Sequence, residues 1–530
     1  MSRAGRTPLA TDVTRRRVLR AMGSSALNLG AAALAPGLVS CVAASSSQDR
    51  DNDVLTWGFN GQAETLDPYA TNKRTAQLLS GHVIERLVYR DPASAEARAA
   101  LAKSWQWVDE RTLEFALRDD VWFHDGQHFD ADDVLYTLHY IKDPSQQVVF
   151  SDTDYGFIKE AQKLSPYVVR LVLNTPTPSA IDRLTQVFFI LPKGYHSRVD
   201  RQTFGSRPVG TGPFQVTAFE SGHKVELTRF ERYYPAAWGT PSLRQIIVRC
   251  ITDPQTLVAE METGGIDFIW DIQRDQLGQV EDSPRIAKFS GGSTEIYFLR
   301  LDVVGKRPGS PTRDKNVRLA ILHAINRPDI AHILMGPGSQ VLNAPCHPRQ
   351  FGCFQDVMSY DYSLEKAEAA LKRSAYPNGF PLTVSAYSDG GAMAEAIVGD
   401  LSAIGIKATL DYRETSAILK DSYAGLLPAL VIDWPSSGVY DASAMVANFF
   451  QGTVNDYIMD QDVQGWLAAA AATADRAVRE DNYRRAFEKI ANEAYLVPLV
   501  TGVTYYAADS ALEFPRPQDG FPLMYMARWA

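Results

Sequence analysis

Apolar and polar positions alternate over residues 112–123, where Leu113, Phe115 and Leu117 fall on one face, and Asp125-Gly126 follows. A strand ending in a hairpin-type turn is predicted there. The period then changes. Asp130 stands ahead of Val134, Leu138 and Ile141, spaced four and three apart, with Asp132 and Asp133 in the first turn, so a capped helix is predicted. Val317, Ala320, Ile321, Ala324 and Ile325 repeat the helical spacing until Arg327-Pro328 closes the segment. Met393, Ile397, Leu401 and Ile404 do so again as far as Gly405, after which residues 406–410 have the pattern of a strand. Helix, glycine, strand is the order of a crossover onto a sheet. A last helix is predicted over residues 481–494, with Tyr483, Phe487, Ile490 and Ala494 as its buried stripe. Strands and helices interleave without a repeat period, which predicts an α/β chain.

The N-terminus departs from this pattern. Thr14-Arg15-Arg16-Arg17-Val18-Leu19-Arg20 precedes an uncharged run over residues 21–47, the layout of a twin-arginine export signal. The run is rich in Ala and Gly and holds Asn28 and Pro36, whereas a membrane span, the alternative, needs about 20 strongly apolar residues. It contains Leu38-Val39-Ser40-Cys41, similar to a bacterial lipobox in which the Cys41 thiol receives diacylglycerol; the other reading is a lone Cys in a cleavage region. Two or three acyl chains on one cysteine anchor stably where a single chain does not. Residues 1–40 are thus expected to be a signal peptide and residues 41–53 a flexible tether of small and polar residues.

Cleavage before Cys41 leaves 490 of 530 residues, enough for more than one core. With 45% apolar and 22% charged residues the composition is that of a globular protein. Residues 1–40 hold six Arg and one Asp, so their removal takes the net charge from −9 to −14, which argues against a nucleic-acid partner.

Beyond Cys41 the cysteines are Cys250, Cys346 and Cys353. In an oxidising compartment Cys346 and Cys353, set among Pro345, Pro348 and Gly352, suggest a disulfide-closed loop; a metal site from Cys346, His347 and Cys353 is the alternative, without an evident fourth ligand. His124 and His128 are four apart, but the Asp125-Gly126 turn between them breaks the helix that would converge them on a metal. Pro208-Val209-Gly210-Thr211-Gly212-Pro213-Phe214 is Gly-rich yet lacks a following Lys and is bounded by prolines, the signature of a tight turn more than of a phosphate loop. No His precedes a Glu, and neither G-x-S-x-G nor a Walker A stretch occurs. No catalytic residue, metal or cofactor is therefore expected, and binding is the default.

Residues 101–134, LAKSWQWVDERTLEFALRDDVWFHDGQHFDADDV, closely resemble the signature of the family 5 extracellular solute-binding proteins, the oligopeptide- and dipeptide-binding group. ETLDPYATN at 64–72, RPVGTGPFQV at 207–216, KNVRLAILHAINR at 315–327, YDYSLEKAEAALKRSAYPNGF at 360–380 and IGIKATL at 404–410 agree in order. The resemblance implies a two-lobed periplasmic-binding-protein clamshell, type II-like, with an extra domain inserted in the first lobe. On that pattern lobe one comprises residues 54–88, 204–297 and 498–530, the inserted domain 89–203, and lobe two 298–497. It implies a monomeric receptor that captures a peptide or peptide-like solute outside the membrane and hands it to the permease and ATPase of an ABC importer. A ligand touching both lobes would favour the closed form, which the transporter then receives. A receptor for an opine, oligosaccharide or metal chelate is the second reading. An envelope enzyme or signalling receptor on the same fold is the third.

In peptide-binding members of this family a cleft Trp is followed three residues later by an Asp that pairs with the ligand ammonium. Here Trp434 is followed by Ser436 and Ser437, with Ser437 in the place of that Asp. A hydroxyl cannot replace a carboxylate opposite a desolvated ammonium. Either Asp433 or Asp441 supplies the acid, or the ligand has no free amine. The alternative for Trp434 is a core tryptophan at a strand end. The resemblance places Tyr69, Thr71, Asn72 and Lys73, with Arg74, at the opposite wall of the cleft as hydrogen-bonding and charge partners, the alternative being solvated surface.

Overall fold

A computed structural model of the chain describes residues 53–530 apart from 72–73, 150, 235–238, 388–390 and 436–437. The expected signal, Cys41 and the tether up to residue 52 lie outside the described residues. Val54–Phe59 alternates its side chains so that Leu55 and Trp57 lie beside Ile246 and Val248 of the parallel neighbour Gln245–Cys250, all buried. Around this pair a seven-stranded sheet assembles in the order Ile286–Gly291, Thr504–Asp509, Phe268–Trp270, Val54–Phe59, Gln245–Cys250, Lys224–Arg229, Phe214–Glu220. Its strands come from the start, middle and end of the described chain. The turn at 208–214 packs beside it, and a Cβ on Gly210 or Gly212 would come within 2.0 or 2.7 Å of the Val83 carbonyl oxygen, so glycine there serves close backbone approach.

A second, antiparallel sheet has the order Ala102–Asp109, Thr112–Leu117, Val168–Leu173, Ile158–Ser165. Leu113 and Phe115 pair with Leu171 and Val169 and share one buried cluster with Val134, Leu138 and Ile141 of helix Ala131–Lys142. That helix begins at Asp130, which accepts the Asp132 N–H at 2.7 Å, while the Asp133 carboxylate accepts the Asp130 N–H at 3.0 Å. The first strand stops at Leu117, short of the expected residue 123; Val121 and Phe123 are buried outside the ladder.

The third sheet runs Lys407–Arg413, Pro381–Tyr387, Ala429–Trp434, Ile296–Leu301, Leu496–Thr501. Helix Gly391–Ala403 carries the parallel crossover between its first two strands, and Gly405 takes φ +84° just after it. Alternation sends Leu299, Leu301 and Val431 into one apolar cluster and Ile296, Phe298, Leu430 and Ile432 into another, so the sheet is covered on both faces. The final helix is Arg476–Asn492, starting earlier than residue 481 because Asp475 caps it through the N–H groups of Ala477 and Val478. Ala494 is buried but falls outside it, at φ +54°.

Two α/β bodies thus form the two-lobed clamshell, the four-stranded sheet being an addition to the first. The expected borders at 88, 203, 297 and 497 each fall within an element, namely Val88–Arg90, Arg201–Ser206, Ile296–Leu301 and Leu496–Thr501. Ladder pairing sets the crossings instead: the chain passes between the seven- and five-stranded sheets at residues 292–295 and 502–503, side by side, with the Gly502 N–H donating to the Glu295 carbonyl at 2.8 Å. No helix among the described residues is long and apolar enough to cross a membrane.

Candidate functional site

Period-two alternation on Ala429–Trp434 turns Leu430, Ile432 and Trp434 to one side of the sheet and Val431 and Asp433 to the other. On the first side lies a cavity of about 360 Å³. Leu430, Ile432 and Trp434 wall it together with Ile418 and Leu419 of helix Thr415–Tyr423 and Phe449 of helix Ser443–Phe449. Gln77, Asp154, Gln186, Val187 and Phe521 come from the other body, so both lobes contribute. The Trp434 ring meets Phe449 edge to face, with centroids 5.2 Å apart, and its indole N–H is buried without a hydrogen bond among the described residues.

Charge is unevenly distributed. Burial pushes the Asp154 carboxyl up to about 6, against the opposing pull of Arg183. Across the sheet a cavity of about 740 Å³ is lined by Asp271, Arg274, Asp275, Tyr297 and Tyr505. Glu295 and Asp433 line both cavities. Burial, then the negative charges of Glu295, Asp433 and Asp271, hold the Tyr297 hydroxyl well above its ordinary range, the mark of a strongly electronegative wall.

The structure brings Trp434 and Asp433 to the cleft but not the other described candidates. Tyr69 is a core residue whose hydroxyl donates to the Phe189 carbonyl at 2.6 Å, and it lines neither cavity. Asp441 is buried and engaged by Arg479 at 2.7 Å, the Tyr483 hydroxyl at 3.2 Å and the Ser443 N–H at 2.9 Å, so it is not the substitute acid. Thr71 is half-buried and lines neither cavity. Asn72, Lys73, Ser436 and Ser437 lie outside the described residues, and Arg74 opens the helix Arg74–Ser80. The sequence reading missed Asp154, Glu295 and Arg300, each of which lines the smaller cavity.

Both rims of the cleft are bridged. On one, the Tyr440 N–H donates to Asp182 at 2.5 Å, the Ser179 and Ser443 hydroxyls meet at 3.2 Å, and Arg90 pairs with Asp182 while lying over the Tyr440 ring. On the other, the Tyr505 hydroxyl donates to the Met335 carbonyl at 2.6 Å. The loop holding Tyr440 is braced from behind: Cys346 and Cys353 are joined by a disulfide, and within their loop Gln350 donates to the Val439 carbonyl at 2.8 Å while the Phe351 N–H donates to the Tyr440 carbonyl at 2.9 Å.

The profile of the bacterial extracellular solute-binding proteins, family 5 Middle, matches residues 96–457. A curated relative, the glutathione-binding protein GsiB of Escherichia coli O6:K15:H31, is 25% identical over 489 residues, covering 88% of this chain and 92% of its own. Among solved structures, the periplasmic binding protein DppA of Helicobacter pylori in complex with the peptide STSA superposes with a TM-score of 0.78 at 24% identity, over 90% of this chain and 98% of that one. AgaA of A. tumefaciens R10 in complex with agropinic acid does so at 0.75 and 23%, over 90% and 99%.

Proposed function

The chain belongs to the bacterial extracellular solute-binding proteins of family 5, and from that premise we propose that it captures a peptide or peptide-like solute in its interlobe cleft for delivery to an ABC permease. The observation that carries this reading is the cavity of about 360 Å³, walled by both lobes and furnished with Trp434 and charges of both signs. Its size lies within the roughly 300–1,000 Å³ typical of small-ligand sites. A solute bridging Gln186 or Asp154 on one side and Trp434 on the other binds only when the lobes are together, so it shifts the population toward the form a permease selects. The role is binding, with no chemical step. A peptide ligand also accords with the name of the GsiB relative and with the tetrapeptide in the DppA structure.

A second reading, the same receptor tuned to an opine, is favoured by Ser437, which stands where peptide-binding members carry an acid, and by the agropinic acid of the AgaA structure. Thermal-shift titration of the purified protein with reduced glutathione, Ser-Thr-Ser-Ala and agropinic acid separates the two. Stabilisation by either peptide is expected through mass action; a response to agropinic acid alone overturns the peptide reading.

Export through the twin-arginine segment at residues 14–20 and lipidation at Cys41 belong to the same proposal, since they put the receptor at the membrane face where its permease lies. Mass spectrometry of the membrane fraction should return an N-terminal peptide beginning with acylated Cys41. An unmodified N-terminus beyond that residue overturns the anchor.

A further inference from the structure

Ile296–Leu301 carries a single charged residue, Arg300, which stands opposite Leu430 in the ladder and is only 5% exposed. A buried guanidinium is normally matched by a carboxylate, because desolvating an unpaired charge is costly. Arg300 has no such match: among the described residues it forms no ion pair, although the charge of Asp302 acts on it. Asp302, two residues on, spends its oxygens on the backbone N–H groups of Lys306 at 2.8 Å and Arg307 at 3.0 Å. Burial accordingly lowers the pKa of the Arg300 guanidinium from its usual value.

Its orientation is nevertheless fixed. Nη1 donates to the Ser422 hydroxyl at 2.8 Å, and the guanidinium lies over the Tyr457 ring, 3.7 Å from its centroid. Among the described residues Nη2 is buried with no hydrogen-bond partner, and the residue lines the cavity of about 360 Å³ alongside Asn448 and Asn455.

We propose that Arg300 is an anion subsite of this cleft that receives a carboxylate of the captured solute, an inference that rests on the solute-receptor reading. A planar carboxylate fits the guanidinium fork, supplying an acceptor for Nη2 and neutralising the cation. The Asn455 amide, which meets the Ser422 hydroxyl at 3.5 Å, adds a neutral donor beside Arg300. The apolar walls of Leu430, Ile432 and Phe449 then hold the body of the solute between this subsite and the acids Asp154, Glu295 and Asp433. The solute class is therefore a small molecule with a carboxylate at the end seated in the second lobe.

The test compares Ser-Thr-Ser-Ala and reduced glutathione with their C-terminal amides and, for glutathione, with the analogue amidated at its γ-glutamyl α-carboxylate, on the parent protein, Arg300→Gln and Arg300→Lys. Loss of the carboxylate should weaken binding to the parent about 10–100-fold, and the same modification should change binding to Arg300→Gln by less than about threefold, with Arg300→Lys between them. The analogue that loses affinity tells which carboxylate is bound. Equal affinity of acids and amides for the parent overturns the subsite, even should a variant fail to fold. Acetate against chloride supplies an arm independent of the solute: it should raise the melting temperature of the parent by more than that of Arg300→Gln, whose response gives the general salt effect. If no peptide binds while the acetate effect is present, the peptide reading falls and the subsite stands. Peptide binding indifferent to amidation does the reverse.

Discussion

Asp154 lines the cleft with a carboxyl that burial pushes up to about 6 from an ordinary 3.8. The native state therefore holds its proton more tightly than the unfolded chain. Stability from this group falls as pH rises from about 4 to about 6 and stays lower above, the reverse of a salt-bridged acid. Asp154→Asn should thus raise the unfolding free energy of the ligand-free protein at pH 7.5 by about 1–3 kcal/mol, with the two stability curves meeting near pH 4. Thermal unfolding across that range checks it. Trp434→Ala is expected to weaken ligand binding at least about tenfold while costing less stability than Phe298→Ala, since Phe298 is fully in the core and its truncation costs about 3–5 kcal/mol. Calorimetric titration and chemical denaturation of both variants separate the roles. At this scale the sequence was partly legible. Trp434 and Asp433, singled out by a local motif, line the cavity, but Tyr69 and Asp441 are claimed by partners 120 and 38 residues away, Phe189 and Arg479, which no local pattern encodes. Arg300 did leave a trace, a lone cation inside an apolar strand, and that is the kind of charge whose burial calls for a partner.

Among elements, the disulfide loop at 346–353 does more than close on itself, because Gln350 and Phe351 hold the backbone of the Tyr440 loop. Replacing Cys346 and Cys353 by Ser should cost about 2–3 kcal/mol from the short closed loop. It should also speed ligand release, which stopped-flow displacement would detect; unchanged release would show that Gln350 alone suffices. Helices and strands with strong periodicity were legible, as the capped helix Ala131–Lys142 and the crossover helix Gly391–Ala403 show. Their ends were less so. The start of Arg476–Asn492 depended on Asp475 as a cap, and four expected domain borders fell inside elements whose extent is set by ladder partners far along the chain.

For the whole molecule, the rim contact of Tyr440 with Asp182 ties the lobes together. Asp182→Ala removes a charge-assisted bond and the partner of Arg90, so ligand dissociation should quicken about tenfold and the loaded protein should show a larger radius of gyration in small-angle scattering. A two-body arrangement was foreseeable from the ordered motifs of the family. Which residues face the cleft was not, because that depends on how strands 200 residues apart in sequence are placed, as Ile296–Leu301 and Leu496–Thr501 are.

The two crossing segments, joined by the Gly502 to Glu295 bond, form a strap two chain segments wide. A strap flexes across its flat side and resists shear within its plane, which leaves the molecule one soft coordinate, as in a door on a single leaf. Glu295 rides on that leaf and borders both cavities, so each degree of swing also re-aims a negative charge at whatever lies inside. Lobe angle and the aim of that charge are therefore linked, and a single pair of distance labels across the strap would follow the angle.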